Sequence, residues 1–140
     1  LSRYVVDASV AVKWYLPEIH DVHALRLLTG SNTLFAPDLI FSEVGNILWK
    51  RFRAGQMSEP EAQAVLRSLG ALPLSVAPSW PLTLSALTIT CQVQRTVYDS
   101  LYLALAVREN AVMVTADEKF YNALRATPLA PYLLWIEHIP

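Results

Sequence analysis

Four acidic residues, far apart in the chain, stand where a strand closes or a helix opens: Asp7, Glu43, Asp99 and Asp117. Asp7 closes the apolar run Tyr4-Val5-Val6, and Asp117 follows Ala111-Val112-Met113-Val114. Glu43 and Asp99 fall near the starts of two helical patterns. Carboxylates are hard oxygen ligands suited to magnesium and manganese. Crowded together they repel one another unless protons or cations offset their charge. A divalent cation lets them stay ionised, activates a water and stabilises charge on a phosphate. Two such ions about 3.5–4 Å apart orient the attacking water and neutralise the leaving oxygen. The leading chemistry is therefore metal-dependent hydrolysis of a nucleic-acid phosphodiester, with the number of metals left open.

Each acid also has a plainer local role. A terminal acid on a buried strand, such as Asp7, needs a partner or a cation, but it also suits an exposed loop or a helix cap. Ser9 either orients Asp7 through a hydrogen bond or caps the next helix, and common turn chemistry favours the cap. Glu43 fits ordinary stabilisation of a first helical turn. Asn46, one turn on, is placed either near metal and phosphate or on a polar helix surface. Thr96 and Asp99 have capping-box spacing, as do Thr115 and Glu118. If Thr115 caps with Glu118, Asp117 is left free at the same opening; Asp117 is the alternative cap. Capping accounts for any one of these acids and not for all four.

Lys13, Lys50, Arg51, Arg53 and Arg95 are the candidate phosphate contacts, with Lys50-Arg51-Phe52-Arg53 the densest basic stretch. They would supply salt-dependent, largely sequence-independent affinity. The competing role is a solvated helix end whose positive charges favour its C-terminal dipole. His20, His23 and His138 lack the spacing of a metal motif. Trp14, Trp49, Trp80 and Trp135 read as packing or partner-interface residues. The chain has no GxSxG elbow, no P-loop and no convincing dinucleotide fingerprint.

The elements that must position the acids follow from periodicity and punctuation. Short apolar strands are expected at 3–7, 33–36, 72–76, 111–115 and 132–136. Helices are expected at about 10–15, 18–29, 38–54, 58–70, 80–93, 96–108 and 117–124. In the helix from Asp38, Val44, Ile47, Leu48 and Phe52 form an apolar stripe beside the more polar Glu43, Asn46 and Lys50. Strands alternating with helices predict an α/β fold with a parallel sheet covered on both faces. Ligands of such sheets bind beyond the carboxyl ends of strands, which is where Asp7 and Asp117 lie.

Composition sets the frame. The 140 residues are 54% hydrophobic and 16% charged, which predicts one globular domain over 1–140 with a real core. The low charged fraction also predicts apolar surface covered by a partner. A net charge of -1 excludes whole-molecule attraction to nucleic acid, so a binding surface must be a local patch. One cysteine, Cys91, excludes an intrachain disulfide and a cysteine zinc site. It is expected to be a small buried residue in a reducing, cytoplasmic compartment. No apolar run approaches the ~18 residues that span a bilayer, and no basic leader precedes a signal-like segment.

Four stretches together resemble the PIN-domain family. Val5-Val6-Asp7-Ala8-Ser9 is similar to its first motif. Pro37-Asp38-Leu39 with Glu43-Val44-Gly45-Asn46 is similar to the second, Tyr98 to Ala106 to the third, and Val112 to Phe120 to the fourth. Their order and spacing span nearly the whole chain, and the branch they most resemble is the VapC-like toxins of type II toxin–antitoxin systems. The resemblance implies a three-layer α/β/α domain with a five-stranded parallel sheet. It implies an endoribonuclease dependent on Mg2+ or Mn2+, with Asp7, Glu43, Asp99 and Asp117 as the acidic cluster and Ser9, Asn46 and Thr115 as supporting polar positions. It further implies a homodimer and a VapB-like antitoxin that blocks the site and itself contacts operator DNA. Four acids do not distinguish ribose from deoxyribose. A DNA or flap nuclease, and a catalytically weak binding or regulatory protein of the same fold, are the competing readings.

Overall fold

The computed structural model describes residues 2–140. Five short strands form one sheet: β1 (Arg3–Val6), β2 (Thr33–Pro37), β3 (Ser75–Ala77), β4 (Val112–Thr115) and β5 (Leu133–Trp135). Their order is β3-β2-β1-β4-β5 and every neighbouring pair is parallel. Val5 is level with Phe35 on one side and Met113 on the other. The central strands are covered on both faces, so they read as continuous apolar runs.

The described residues also form seven α-helices: α1 (Ala8–Ala11), α2 (Asp21–Leu25), α3 (Leu39–Arg53), α4 (Glu59–Ala71), α5 (Trp80–Val93), α6 (Val97–Glu109) and α7 (Glu118–Leu124). The crossovers carrying α1 to α4 step along the sheet in one direction, and the crossover carrying α5 and α6 steps back past β1. Right-handed connections place the two groups on opposite faces. The result is the expected three-layer α/β/α arrangement. Helix α6 touches β1, β2 and β4 and carries α5 on its outer side. Ser100 to Ala106 are all buried there, so this stretch of the helix is enclosed around its circumference.

Helix ends follow the capping rules where the sequence supplies them. The Ser58 side chain accepts from Glu61 N–H at 3.2 Å, and that of Thr96 accepts from Asp99 N–H at 3.1 Å. Helix α3 stops in a Schellman motif: Gly55 N–H bonds the Phe52 carbonyl and Gln56 N–H the Arg51 carbonyl, both at 2.9 Å.

Several expected elements are shorter or turned differently. The helix expected over 18–29 begins only at Asp21, because His20 lies at φ 66 outside the helical region; it ends as a 3-10 turn, Arg26–Leu28. The stretch 10–15 divides into α1 and a 3-10 turn, Val12–Trp14. Phe52, expected in the apolar stripe of α3, is 48% exposed beside Trp49. Cys91, expected inside, is exposed. It ends an outward row on α5 with Trp80, Leu84 and Leu87, while Leu82, Ala86 and Ile89 face the core. No helix among the described residues is long and apolar enough to cross a membrane.

Gly55 sits at φ +76, and a Cβ added there would meet open space, so replacing it tests the backbone alone. Gly55→Ala should cost about 1 kcal/mol, the left-handed penalty for a residue with a Cβ, read as a lower denaturant midpoint with an unchanged slope.

Candidate active site

The four acids arrive at one cavity by four routes. Asp7 is the residue after β1 and caps α1, its Oδ1 accepting from Val10 N–H at 2.9 Å. Ser9 is therefore not the cap; its hydroxyl donates to the same Oδ1 at 2.7 Å. Glu43 projects from α3, and Oε1 accepts from the Tyr102 hydroxyl of α6 at 2.5 Å. It stands beyond the first turn, so first-turn stabilisation does not explain it. Asp99 lies in the first turn of α6 behind the Thr96 cap. Asp117 caps α7, with Oδ1 accepting from Phe120 N–H at 3.0 Å. Thr115 is thus not the helix cap. It is fully buried at the end of β4, and its hydroxyl accepts from Asp117 N–H at 3.0 Å.

Because β1 and β4 are adjacent and parallel, Asp7 and Asp117 leave the same end of the sheet. That edge lies where the connections diverge to opposite faces, the place such folds reserve for ligands. The cavity there measures about 480 Å³ and is lined by all four acids with Ser9, Asn46 and Lys50. Tyr98, Tyr102 and Ser42 also line it, and neither periodicity nor motif spacing singles these out. The available signal for Tyr102 is its position three residues after Asp99 on one helix.

Electrostatics reflect the crowding. Burial pushes the Asp7 carboxyl up to about 6, against the lowering effect of its Ser9 and Val10 hydrogen bonds; the charges of Glu43 and Asp99 push the same way as burial. Glu43 is raised by burial and by Asp99, and lowered by its Tyr102 bond. Asp99 is raised by burial and by Asp117, and lowered by Thr96 and by the Arg95 guanidinium. Burial and the Glu43 bond hold the Tyr102 phenol protonated, so it serves as a donor. Among the described residues, no three His, Cys, Asp or Glu side chains are drawn together as a finished metal site. The acids surround a common space with only one oxygen each on Asp7, Glu43 and Asp117 committed to the hydrogen bonds above. An all-oxygen, mutually repelling donor set of this kind suits Mg2+ or Mn2+.

The expected phosphate contacts separate. Lys50 lines the cavity. Arg95 pairs with Asp117 at 3.6 Å. Arg53 lies over the Trp49 ring, 4.5 Å from its centroid. Lys13 is buried, bonding Glu18 at 3.2 Å and the Ile19 carbonyl at 2.9 Å. Arg51 pairs with the other Glu18 oxygen. Lys13 and Arg51 are thus engaged away from the cavity. Of the histidines, His20 stacks edge-on with His23 and Trp135 and stands 3.8 Å from Glu137.

A doubly covered parallel sheet with a carboxylate-lined crevice at its switch point defines the class: an α/β protein with an acidic cavity at the carboxyl ends of its strands. The chain belongs to the PIN-domain family, whose profile matches residues 4–125. It is 33% identical over 119 residues to Ribonuclease VapC3 of Pyrobaculum aerophilum, covering 84% of this chain and 91% of that protein. It is 31% identical over 125 residues to Ribonuclease VapC1 of Mycobacterium tuberculosis, covering 88% and 92%. Among solved structures, a Pyrobaculum aerophilum protein superposes with TM-score 0.68 at 23% identity, covering 97% of this chain and 85% of that one. VapBC2 of Rickettsia felis, solved bound to a DNA fragment from its promoter, superposes with TM-score 0.63 at 18% identity, covering 95% and 98%. The sequence likenesses establish homology to proteins named VapC ribonucleases; the structural ones establish the fold.

The raised carboxyls carry a pH signature. Asp7 moves from 3.8 to about 6, so between those values the folded chain holds more protons than the unfolded one. The contribution of Asp7 to the stability of the metal-free protein should therefore be fully present below pH 4, be lost as pH rises to about 6, and stay lost above. Glu43 and Asp99 act in the same direction. Urea midpoints across pH 4–7 should show this slope, and Asp7→Asn should make it shallower; an equal slope in the variant would remove Asp7 as its source.

Proposed function

We propose that this protein is an endoribonuclease dependent on Mg2+ or Mn2+, the toxin of a toxin–antitoxin pair. One observation carries the reading. Four carboxylates from four separate stretches line a single cavity in a chain homologous to proteins called ribonucleases. Asp7, Glu43, Asp99 and Asp117 are the proposed holders of the cation. When bound, it would supply an activated water and charge stabilisation at the phosphate. The chain's own residues supply the rest. Ser9 and the Val10 N–H fix the Asp7 oxygen, Tyr102 fixes Glu43, and Thr115 fixes the backbone of Asp117. Asn46 and Lys50 flank the RNA backbone, Lys50 adding charge where the phosphate must lie.

Arg53 and Arg95 extend this basic surface as the proposed outer phosphate contacts. Lys13 and Arg51 join it only by releasing Glu18, so we rank them behind the others. A VapB-like antitoxin is the proposed partner. Exposed Ile19, Val22 and Leu25 on and before α2 offer it apolar surface. So do Trp49 and Phe52 in the groove between α3 and α4. A second copy covering the outer row of α5 would give the homodimer. Operator DNA is met through the antitoxin, in the cytoplasm, and the catalytic unit spans 1–140.

Partner-free protein should cleave structured RNA with magnesium or manganese and stop with EDTA. A folded Asp99→Asn variant should lose on the order of 100-fold or more in rate, the scale of losing one electrostatic stabiliser at a reacting centre. Cleavage of matched DNA alone would replace the ribonuclease reading. Tight partner binding without cleavage of any RNA would favour a binding protein.

A further inference from the structure

Arg95 lies in the three-residue link between α5 and α6, where Gln94 at φ 58 turns the chain. Its guanidinium reaches the edge of the acid cavity, with Nη2 3.6 Å from Asp117 Oδ2. Its central carbon stands 5.8 Å from the centroid of the Phe120 ring, in the helix that Asp117 caps. Phe120 is buried, so the platform under the cation is fixed. Arg95 Nε is buried and has no hydrogen-bond partner among the described residues. The group is held by stacking and charge, with donor capacity unused.

The geometry on Asp117 is selective. Oδ1 is committed to Phe120 N–H, which leaves Oδ2 as the oxygen free to ligate. Oδ2 is the atom that faces Arg95. The contact is single and long for a guanidinium–carboxylate pair, without the two-pronged geometry that makes such pairs strong. It is also part-exposed, so a divalent ion with twice the charge can displace it. Lys50 lines the same cavity and pairs with no carboxylate among the described residues, so Arg95 is the cation placed directly on one of the acids.

We propose that Arg95 is a built-in counter-ion of the acid site. It compensates Asp117 in the metal-free chain and competes with the divalent cation for Oδ2. On metal binding it gives up that oxygen, and its unused donors become available to an RNA phosphate. It is set apart from the four acids by its effect on when the site loads. This role rests on the metal-dependent reading of the site.

The test uses Mn2+ as probe, followed by the loss of the free-ion EPR signal on titration into the whole chain. Arg95→Gln should bind Mn2+ about tenfold more tightly than wild type, the scale of removing a single charge several ångströms from a double one in a water-like medium. Arg95→Lys, which keeps the charge, should stay near wild type, and Asp99→Asn should bind weakly. If Arg95→Gln does not fold, Arg95→Met retains the apolar stem over Phe120 and takes its place. In wild type, the Arg95 Nε resonance should also shift on adding Mg2+. Equal or weaker Mn2+ binding in the folded neutral variant, with Asp99→Asn still impaired, overturns the counter-ion role and spares the metal site. An unmoved Nε resonance at saturating Mg2+ does the same. Failure of both wild type and Arg95→Gln to bind Mn2+ overturns the metal-dependent reading and this inference with it.

Discussion

Like charges resist being gathered, and that resistance is the constraint to which the rest of this fold answers. Asp7, Glu43 and Asp99 are each raised by burial and by at least one neighbouring carboxylate. They stay in place because hydrogen bonds hold the acids against one another's charge. Asp7 and Asp117 are helix caps, so the backbone N–H groups of α1 and α7 hold them. Glu43 is tied across the cavity by Tyr102, a residue on the same helix as Asp99. The tethers resist repulsion through hydrogen bonds to backbone and phenol, and the metal-free site keeps its shape at the expense of raised proton affinity.

The sheet supplies the second level of control. Parallel pairing of β1 with β4 aims two of the acids the same way. The wedge of α6 under β1, β2 and β4 then sets the position of the third. Helix α3 brings the fourth, and its last turn is anchored by residues outside the cavity lining. Glu18 takes Lys13 from the first crossover and Arg51 from the last turn of α3. With Lys13 buried, this is a cluster of three charges that must stay matched, since a lone charge there would be costly. Glu43, Asn46 and Lys50 are thereby held in step with the segment that follows Asp7.

Much of this is legible in the residues. Strand positions, the parallel sheet and the placing of Asp7 and Asp117 at strand ends follow from apolar runs that stop at polar punctuation. The helix caps at Ser58 and Thr96 are readable because their chemistry is local. What fails is choice between equivalent local signals. Thr115 and Asp117 both suit a cap, and only the path of the chain after β4 decides for Asp117. Helix α5 is apolar on nearly every side, so no stripe tells which face turns inward, and Cys91 turns outward against its residue type. The role of Tyr102 and the capture of Lys13 and Arg51 by Glu18 depend on contacts between distant segments, which spacing along a chain does not contain.

The acids span residues 7 to 117, and this has a consequence for how the molecule comes into being. A ribosome delivers Asp7 first and Asp117 last. Until β4 has emerged, the central strand lacks a neighbour and the cavity lacks a wall. A nascent chain thus carries most of its acidic residues well before the pocket has all four acids, since Asp117 follows β4. The last of the four acids thus joins the site only once β4 has paired with β1.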